Sequence, residues 1–359
     1  EEMSGWEDPA CGRELYARCD QDEESSVPAM SWELREDQAC GRGLYARRDL
    51  AEGERVLSAH VLTAGVGDGS CANCLADLPS REGALRCEGC SLRYCGARCL
   101  LEDAHDAHSC QMLRRLSASS EWDTPLVRLL VRTSSLLATA AARDRPDPGG
   151  RAASAGLEQV AARLFAEPSR AELRKRDVAA LDTCRSRMPT ERYSNVSATQ
   201  AFVQRLWRKA AATSAKDGGP PPAAGSEPPV DIAGTLCRIM HNGFGVRDAR
   251  GAEVGCALVP TASMFNHACL PTCQQHTRLG GERGGRALDF VTTRRVLAGE
   301  QLTISYVEAD LPREERRAKL RESYYFDCMC VACQQLPATP LRRDPGPGEA
   351  KRYRGRAAS

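Results

Sequence analysis

One stretch of the sequence concentrates residues that bind metal ions. The chain has 18 cysteines and 6 histidines among its 359 residues. Seven cysteines and two histidines lie close together: Cys71, Cys74, Cys87, Cys90, Cys95, Cys99, His105, His108 and Cys110. A C-x-x-C pair presents two thiolates to one metal ion from a tight turn. The stretch therefore predicts two four-coordinate zinc sites, and zinc would supply its folding free energy, on the order of 10 kcal/mol per site.

A second cysteine group lies further along the sequence. Cys328, Cys330 and Cys333 are spaced C-x-C-x-x-C. Three thiolates leave a tetrahedral zinc ion one ligand short. Because metal-binding thiols must stay reduced, we expect a reducing compartment, the cytoplasm or the nucleus, and not a secreted disulfide scaffold.

Three further segments carry residues suited to binding a small molecule or to catalysis. Gly41-Arg42-Gly43 allows the backbone to approach a ligand closely, since glycine has no Cβ. Asn266-His267 offers polar groups, although a single histidine is more often a hydrogen-bonded buried residue than a base. Tyr306 ends an apolar segment, a position where tyrosine usually packs in a core or an interface. Each segment alone is a weak indication of function.

The apolar pattern predicts the elements that position these residues. Residues 40–66 and 231–307 are typical of short strands and turns, and residues 112–211 of helices. A charged helix is predicted from Arg313 to about Glu322. Residues 217–229 are rich in proline and glycine, which indicates a solvated linker or loop.

The beginning of the sequence contains a partial repeat. Residues 1–38 are acidic and are predicted to be irregular. Residues 10–18 resemble 39–47, but Glu14 stands where the second copy has Gly43. We therefore expect no ligand-binding role for the first copy.

Composition argues against several classes of function. Lys and Arg number 49 against 48 Asp and Glu, so the net charge of +1 gives no reason to expect a protein that coats nucleic acid or membrane surfaces. The sequence contains no run of 18 apolar residues, so no membrane span is predicted. No signal-peptide pattern opens the sequence. The basic tail, residues 336–359, is predicted to be disordered, and a solvated tail is a more common role for it than a nucleic-acid-binding arm.

Together and in this order, the motifs resemble those of the SET and MYND domain-containing (SMYD-type) protein-lysine methyltransferases. The resemblance covers about residues 39–335 and includes the G-x-G turn and the cysteine tail. Residues 266–272 resemble the segment N-H-S-C-x-P-N of that family, and residues 299–306 resemble G-E-E-L-x-I-x-Y. Ala268 and Thr272 depart from the family pattern, and the second departure is expected to loosen a structural hydrogen bond.

The resemblance implies an α+β protein, with a mainly-β SET fold, an inserted MYND zinc finger, a helical insert and a zinc-binding post-SET tail. The implied segments are an irregular N-terminal segment (1–38), the N-terminal part of the SET domain (39–70), the finger (71–110), the helical insert ending in the Pro-rich linker (111–230), the C-terminal SET core (231–310), the post-SET segment (311–335) and the disordered tail (336–359).

The resemblance also implies how the metal ligands group around three zinc ions. The implied sets are Cys71, Cys74, Cys95 and Cys99; Cys87, Cys90, Cys110 and a histidine; and Cys269, Cys328, Cys330 and Cys333. The family places that histidine four residues before the last cysteine, where this chain has Asp106. His105 and His108 are both candidates, with His105 preferred.

The activity implied by the resemblance is transfer of methyl groups from S-adenosylmethionine to lysine side chains of histone or non-histone proteins. Tyr306 is the implied catalytic residue, orienting the amine without acting as a strong base. The implied cofactor-binding residues are Gly41, Arg42, Gly43, Asn242, Ser263, Asn266, His267, Tyr324 and Phe326. The alternative is a catalytically weak SET scaffold whose finger recruits Pro-rich partner proteins, and the presence of Tyr306 and Asn266 argues against a pure scaffold.

Overall fold

The computed structural model describes residues 30–38, 40–78, 83–103, 105–143, 178, 181–216, 227–248, 250–278 and 286–334. The partial repeat at 10–18, most of the predicted linker and the basic tail lie outside the described residues. The strands are β1 (Trp32–Asp37), β2 (Gly41–Ala46), β3 (Arg55–His60), β4 (Thr63–Val66), β5 (Leu85–Arg86), β6 (Arg93–Tyr94), β7 (Gly243–Arg247), β8 (Glu253–Leu258), β9 (Asn266–His267), β10 (Cys273–Arg278), β11 (Ala287–Thr292) and β12 (Gln301–Ile304). The helices are α1 (Ala97–Glu102), α2 (Ala107–Ser117), α3 (Pro125–Arg143), α4 (Thr190–Lys216), α5 (Ile232–Asn242), α6 (Arg313–Tyr324) and α7 (Val331–Gln334).

Small sheets carry the site, and one of them joins distant parts of the chain. The described strands form sheets in the orders β1-β2-β12-β9, β10-β11-β3 and β4-β8-β7, with β5 and β6 as a hairpin. β12 pairs antiparallel with β2 and parallel with β9, with Thr303 opposite Asn266 and Ile304 opposite His267. The segment 301–306 therefore lies between the glycine-containing strand and the Asn-His strand.

The core beneath these sheets is apolar and continuous. Leu44 of β2 and Leu302 of β12 are opposite each other and fully buried. Phe265 stacks on Phe290 of β11, with ring centroids 4.5 Å apart. Burial of such side chains contributes about 1.5–3 kcal/mol each, which fixes the register of the strands that end at the site.

Several helices begin at residues whose side chains accept backbone hydrogen bonds. Asp106 Oδ1 accepts from the Ser109 N–H at the start of α2, over 2.6 Å. Asp231 Oδ1 accepts from the Gly234 N–H at the start of α5, over 2.9 Å. Such N-caps satisfy donors that the helix leaves unpaired, each worth about 1 kcal/mol. No helix in the described part of the chain is long and apolar enough to cross a membrane.

Two buried arginines of α3 hold the cysteine-rich segment and the residues just before it. Arg128 donates to the Val66 carbonyl and forms ion pairs with Asp123 and Asp68. Arg132 pairs with Asp103 of the cysteine-rich segment, and both side chains are more than nine-tenths buried. Because breaking one partner of a buried pair costs about 3–5 kcal/mol, the Arg132–Asp103 pair fixes the orientation of the segment on the helix.

Two elements differ from the sequence-based predictions. β1 forms within residues 1–38, which were predicted to be irregular, and pairs with β2 from Trp32↔Ala46 to Asp37↔Gly41. The charged residues of β1 lie on the exposed edge of the sheet, which hides the alternation typical of a strand. α5 replaces strands predicted from residue 231, because Asp231 caps a helix that is buried around most of its surface.

Candidate active site and zinc centres

The glycines of β2 allow close contact with β9 and β12. Gly41 has φ +70°, which glycine adopts without strain. At Gly43, a Cβ would lie 2.6 Å from Gln301 Nε2 and 2.7 Å from Asn266 Nδ2, so no larger residue fits unless the two amides move. Asn266 Nδ2 also donates to the carbonyl oxygen of Arg42 over 3.1 Å. The structure thus brings together four residues that were predicted to bind the cofactor.

The place where β2, β9 and β12 meet is called the strand crossing below. His267 of β9 links this crossing to a cysteine. Its Nδ1 accepts a hydrogen bond from the Tyr306 N–H over 3.0 Å, which places the imidazole proton on Nε2. Nε2 lies 3.4 Å from Cys269 Sγ, where it donates to the sulfur. Burial lowers the pKa of His267 to about 4, so the ring is neutral at pH 7. Both ring nitrogens are engaged, and His267 therefore acts as a positioning group.

Tyr306 lies two residues after the end of β12, inside a group of aromatic rings. Its hydroxyl donates to the Phe265 carbonyl oxygen over 2.6 Å. The Tyr306 ring centroid is 4.8 Å from that of Tyr324 and 5.3 Å from that of His267, and the His267 and Phe326 centroids are 6.0 Å apart. Burial raises the pKa of Tyr306, so the hydroxyl stays protonated well above pH 7. These aromatic residues were all predicted at the site.

Asn242 and Ser263 lie next to each other at the end of α5. Ser263 Oγ donates to the Asn242 carbonyl oxygen over 3.2 Å. The Asn242 side chain donates from Nδ2 to the carbonyl oxygens of Arg238 and Asp182, over 2.8 and 2.9 Å. Because both amide hydrogens are used, Asn242 would meet a ligand as an acceptor, through Oδ1.

The segment Asp182–Cys184 is a part of this region that sequence reasoning missed. Its contact with Asn242 places it beside the end of α5. Cys184 is buried with φ +49°, and its own pKa is raised to about 11, mainly by burial. Burial and the charge of Tyr324 are the main causes that raise the pKa of Tyr306, and the charge of Cys184 is a smaller one. A single cysteine in a segment predicted to be helical gave no signal of this position.

Thr272, which departs from the family pattern, is well bonded. Its N–H donates to Thr303 Oγ1 over 3.1 Å, and its Oγ1 accepts from the Thr303 N–H over 2.8 Å. Both residues are buried. The expectation that Thr272 loosens a structural hydrogen bond is wrong, because its backbone N–H and its hydroxyl oxygen form a reciprocal pair of hydrogen bonds with Thr303 of β12.

Three groups of four side chains have their ligand atoms within 4.8 Å of one another. They are Cys71, Cys74, Cys95 and Cys99; Cys87, Cys90, His105 and Cys110; and Cys269, Cys328, Cys330 and Cys333. Four-ligand sets of thiolates, with or without one imidazole, are the composition of structural zinc sites. The third set joins the strand crossing to the cysteine tail, with the Cys269 and Cys333 sulfurs 3.5 Å apart.

His105, and not His108, belongs to the second group. His105 Nε2 lies 3.5 Å from Cys87 Sγ and 3.4 Å from Cys90 Sγ. Its Nδ1 lies 3.1 Å from the Asp103 carbonyl oxygen, the usual way in which a ligating histidine is oriented by its second nitrogen. Because Asp106 caps α2, His105 lies before the helix, and its ring reaches back to the cysteines.

The inclusion of His108 among the candidate ligands is corrected. His108 lies in the first turn of α2 and packs edge-on against Trp207 of α4, with ring centroids 4.3 Å apart. Neither ring nitrogen has a hydrogen-bond partner among the described residues. The role of His108 is therefore packing between the two helices, and burial lowers the pKa of its ring.

Comparisons with known proteins agree with this arrangement. The sequence-family model of the SET domain matches residues 41–307 of this chain. The chain belongs to the SET domain family, as the motifs predicted. It is 38% identical over 92 residues to a SET and MYND domain-containing protein of Dictyostelium discoideum, a match that covers 26% of this chain and 22% of the relative. It is 36% identical over 107 residues to the histone-lysine N-methyltransferase SMYD3 of Mus musculus, covering 30% of this chain and 24% of the relative.

Two further matches cover more of the chain. Another SET and MYND domain-containing protein of Dictyostelium discoideum is 27% identical over 295 residues, or 76% of this chain and 53% of the relative. The crystal structure of the SET domain of LSMT bound to lysine and AdoHcy aligns over 84% of this chain and 54% of that chain, with 13% identity and a TM-score of 0.42. The chain therefore matches about half or less of the length of these relatives. The predicted fold class, an α+β SET fold with three cysteine-rich zinc sites, is confirmed.

Proposed function

We propose that this protein transfers methyl groups from S-adenosylmethionine to lysine side chains of proteins, histone or non-histone. The observation that carries the proposal is the position of Tyr306. Its hydroxyl is fixed by the Phe265 carbonyl among aromatic rings, next to the crossing where Asn266 and His267 meet the glycines of β2. S-adenosylmethionine would supply a methyl group activated on a sulfonium, and the chain would supply alignment and a dry enclosure.

The residues around the crossing suit a ligand with polar ends. Gly41 and Gly43 bring backbone close to the site, and Asn242 presents a carboxamide oxygen as an acceptor. Tyr324 and Phe326 provide apolar surface beside Tyr306 and His267. These are the groups that would bind the cofactor and line the entry of a lysine side chain.

Lysine must lose its proton before the amine attacks the methyl group. In water its pKa is about 10.4, so nearly all of it is charged at pH 7. An aromatic enclosure disfavours the charged form by desolvation, and a nearby sulfonium adds repulsion. The Tyr306 hydroxyl donates its hydrogen to Phe265, so its oxygen lone pairs can accept an N–H of the amine and orient the nitrogen.

The test is transfer of labelled methyl from S-adenosylmethionine to a pool of lysine-rich proteins. Wild type should label a protein band, and Tyr306→Phe should label it ~100-fold more slowly while binding the cofactor with nearly unchanged affinity. Tyr193→Phe is the matched control, because this tyrosine lies on α4 and its hydroxyl contacts Arg185. Equal loss of transfer and of cofactor binding in Tyr306→Phe would contradict its catalytic role.

Absence of both label and cofactor binding from the folded, zinc-loaded wild type would favour the alternative function, a scaffold whose finger recruits a Pro-rich partner. Leu85 and Leu101 support a peptide-binding role of the finger, because both are exposed apolar side chains on it. Such binding is compatible with catalysis. We also propose residence in the cytoplasm or the nucleus, supported by the reduced state that three thiolate-rich sites require.

A further inference from the structure

Arg316 of α6 is a completely buried arginine whose charge has no acidic partner in the described residues. Its exposed fraction is 0%. Nη1 donates to the carbonyl oxygen of Leu311, and neither Nε nor Nη2 has a hydrogen-bond partner within the described ranges. An uncompensated buried guanidinium costs several kcal/mol, so a native protein is expected to provide a negative group for it.

The third cysteine group lies where that negative charge is needed. Arg316 and Leu320 are four residues apart and therefore lie on the same face of α6. Leu320 is fully buried in the small core that it forms with Cys269, Cys328 and Cys333. This face of the helix therefore covers the cysteine group.

The guanidinium of Arg316 lies beside Cys269, because the two side chains interact directly. It also acts on His267, whose Nε2 lies 3.4 Å from the same sulfur. The positive charge of Arg316 is therefore close to the cysteine group.

The charges of a zinc ion and four thiolates sum to −2, and burying that charge is unfavourable. We infer that Arg316 is the charge-compensating residue of the zinc site formed by Cys269, Cys328, Cys330 and Cys333, retaining the metal by stabilising its thiolates. His267 contributes a neutral N–H to the same sulfur, but Arg316 brings a full positive charge. Mutation of a group that contacts the metal ligands typically lowers metal affinity by about 10–100-fold. The inference does not depend on methyl transfer.

The experiment compares zinc release from the full chain with release from three arginine variants and one cysteine variant. Arg316→Met keeps a long apolar stem without the charge, and Arg316→Lys keeps the charge. Arg321→Met is the matched control, because Arg321 lies on the same helix but is exposed and pairs with Asp327. A chromogenic zinc indicator records release after a competing chelator is added. Cys330→Ser, which lacks a ligand of the third site, identifies the phase that belongs to this site.

The expected result is that one of three zinc ions leaves Arg316→Met about 10–100-fold faster than wild type. Release from the two finger sites stays unchanged, which also shows that the variant is folded. Arg316→Lys and Arg321→Met should resemble wild type. Unchanged release of the third zinc from Arg316→Met would overturn the inference. Equally fast release from Arg316→Lys would also overturn it, because the charge would then not be the cause.

Cobalt substitution gives a readout that simple loss of packing would not produce. The thiolate-to-cobalt charge-transfer band of the third site, taken as the difference between wild type and Cys330→Ser, reports how strongly the thiolates are stabilised. The band should shift in Arg316→Met and stay in place in Arg316→Lys. An unshifted band in a cobalt-loaded Arg316→Met protein would show that the guanidinium does not act on the thiolates.

Discussion

The backbone N–H of Tyr306 donates to Nδ1 of His267 over 3.0 Å, and Nε2 of the same ring lies 3.4 Å from Cys269 Sγ. One imidazole thus connects the residue proposed to orient the lysine amine with a ligand of the third zinc site. Both of its nitrogens are occupied, so the ring cannot rotate without breaking two contacts. The zinc site and the position of Tyr306 are therefore mechanically coupled.

The ligand assignment in the finger can be tested by counting zinc ions. His105→Ala should hold two zinc ions per chain in place of three, because its Nε2 is the fourth ligand of the Cys87, Cys90 and Cys110 group. His108→Ala should hold three, since that ring packs on Trp207. Zinc content per purified chain, measured by mass spectrometry, separates the two. A full count in His105→Ala with a reduced count in His108→Ala would reverse the assignment.

Gly43→Ala should weaken both folding and cofactor binding. The new Cβ would lie within 2.7 Å of the amide nitrogens of Asn266 and Gln301, so at least one must move, at a cost of about 1–3 kcal/mol. Thermal unfolding and calorimetric titration with S-adenosylmethionine measure the two effects. Gly69→Ala is the control, since its Cβ would meet nothing within 4 Å. Identical behaviour of the two variants would mean that the amides can shift at no cost.

Thr272→Val should lower the free energy of unfolding by about 1–3 kcal/mol, because the Thr303 N–H would lose its acceptor in a buried position. Thr272→Ser keeps the hydroxyl and should lose much less. Chemical denaturation of zinc-loaded protein gives both values. If valine and serine proved equally destabilising, the effect would come from packing and not from the hydrogen bond.

The rate of methyl transfer should rise with pH. The value of kcat/KM for a lysine peptide should increase about tenfold per pH unit between pH 7 and pH 9, because the neutral fraction of free lysine rises by that factor below its pKa of about 10.4. Tyr306 should add no inflection, since burial raises its pKa and keeps the hydroxyl protonated over this range. His267, with a pKa of about 4, is already neutral at pH 7.

Initial rates at constant ionic strength check this dependence, with cofactor affinity measured at each pH as the control. A plateau between pH 7 and pH 8 would contradict the expectation that deprotonation of the lysine amine governs the rate.

The motifs predicted which segments meet, but not how the side chains are arranged. The spacing of the cysteines and the strings around His267 and Tyr306 were sufficient for the family and the zinc sites. The choice between His105 and His108 depended on where α2 begins, which Asp106 determines as its N-cap. The bonds of Thr272 depend on a strand far away in the sequence, so no local pattern could show them. Cys184 and Arg316 gained meaning only from their neighbours in space.

β4 and β8 are adjacent antiparallel strands, with Val66 opposite Gly255, although the finger and the helices α1 to α5 lie between them in the sequence. The chain thus leaves the sheet and returns to the same place. Closure entropy grows slowly with length, by about 0.6 kcal/mol per doubling, so this excursion can vary in size at little thermodynamic cost. Folding speed is more sensitive, because pairings between distant segments form slowly. Zinc binding within the excursion would shorten its effective length, so metal supply should affect how fast β4 and β8 come together.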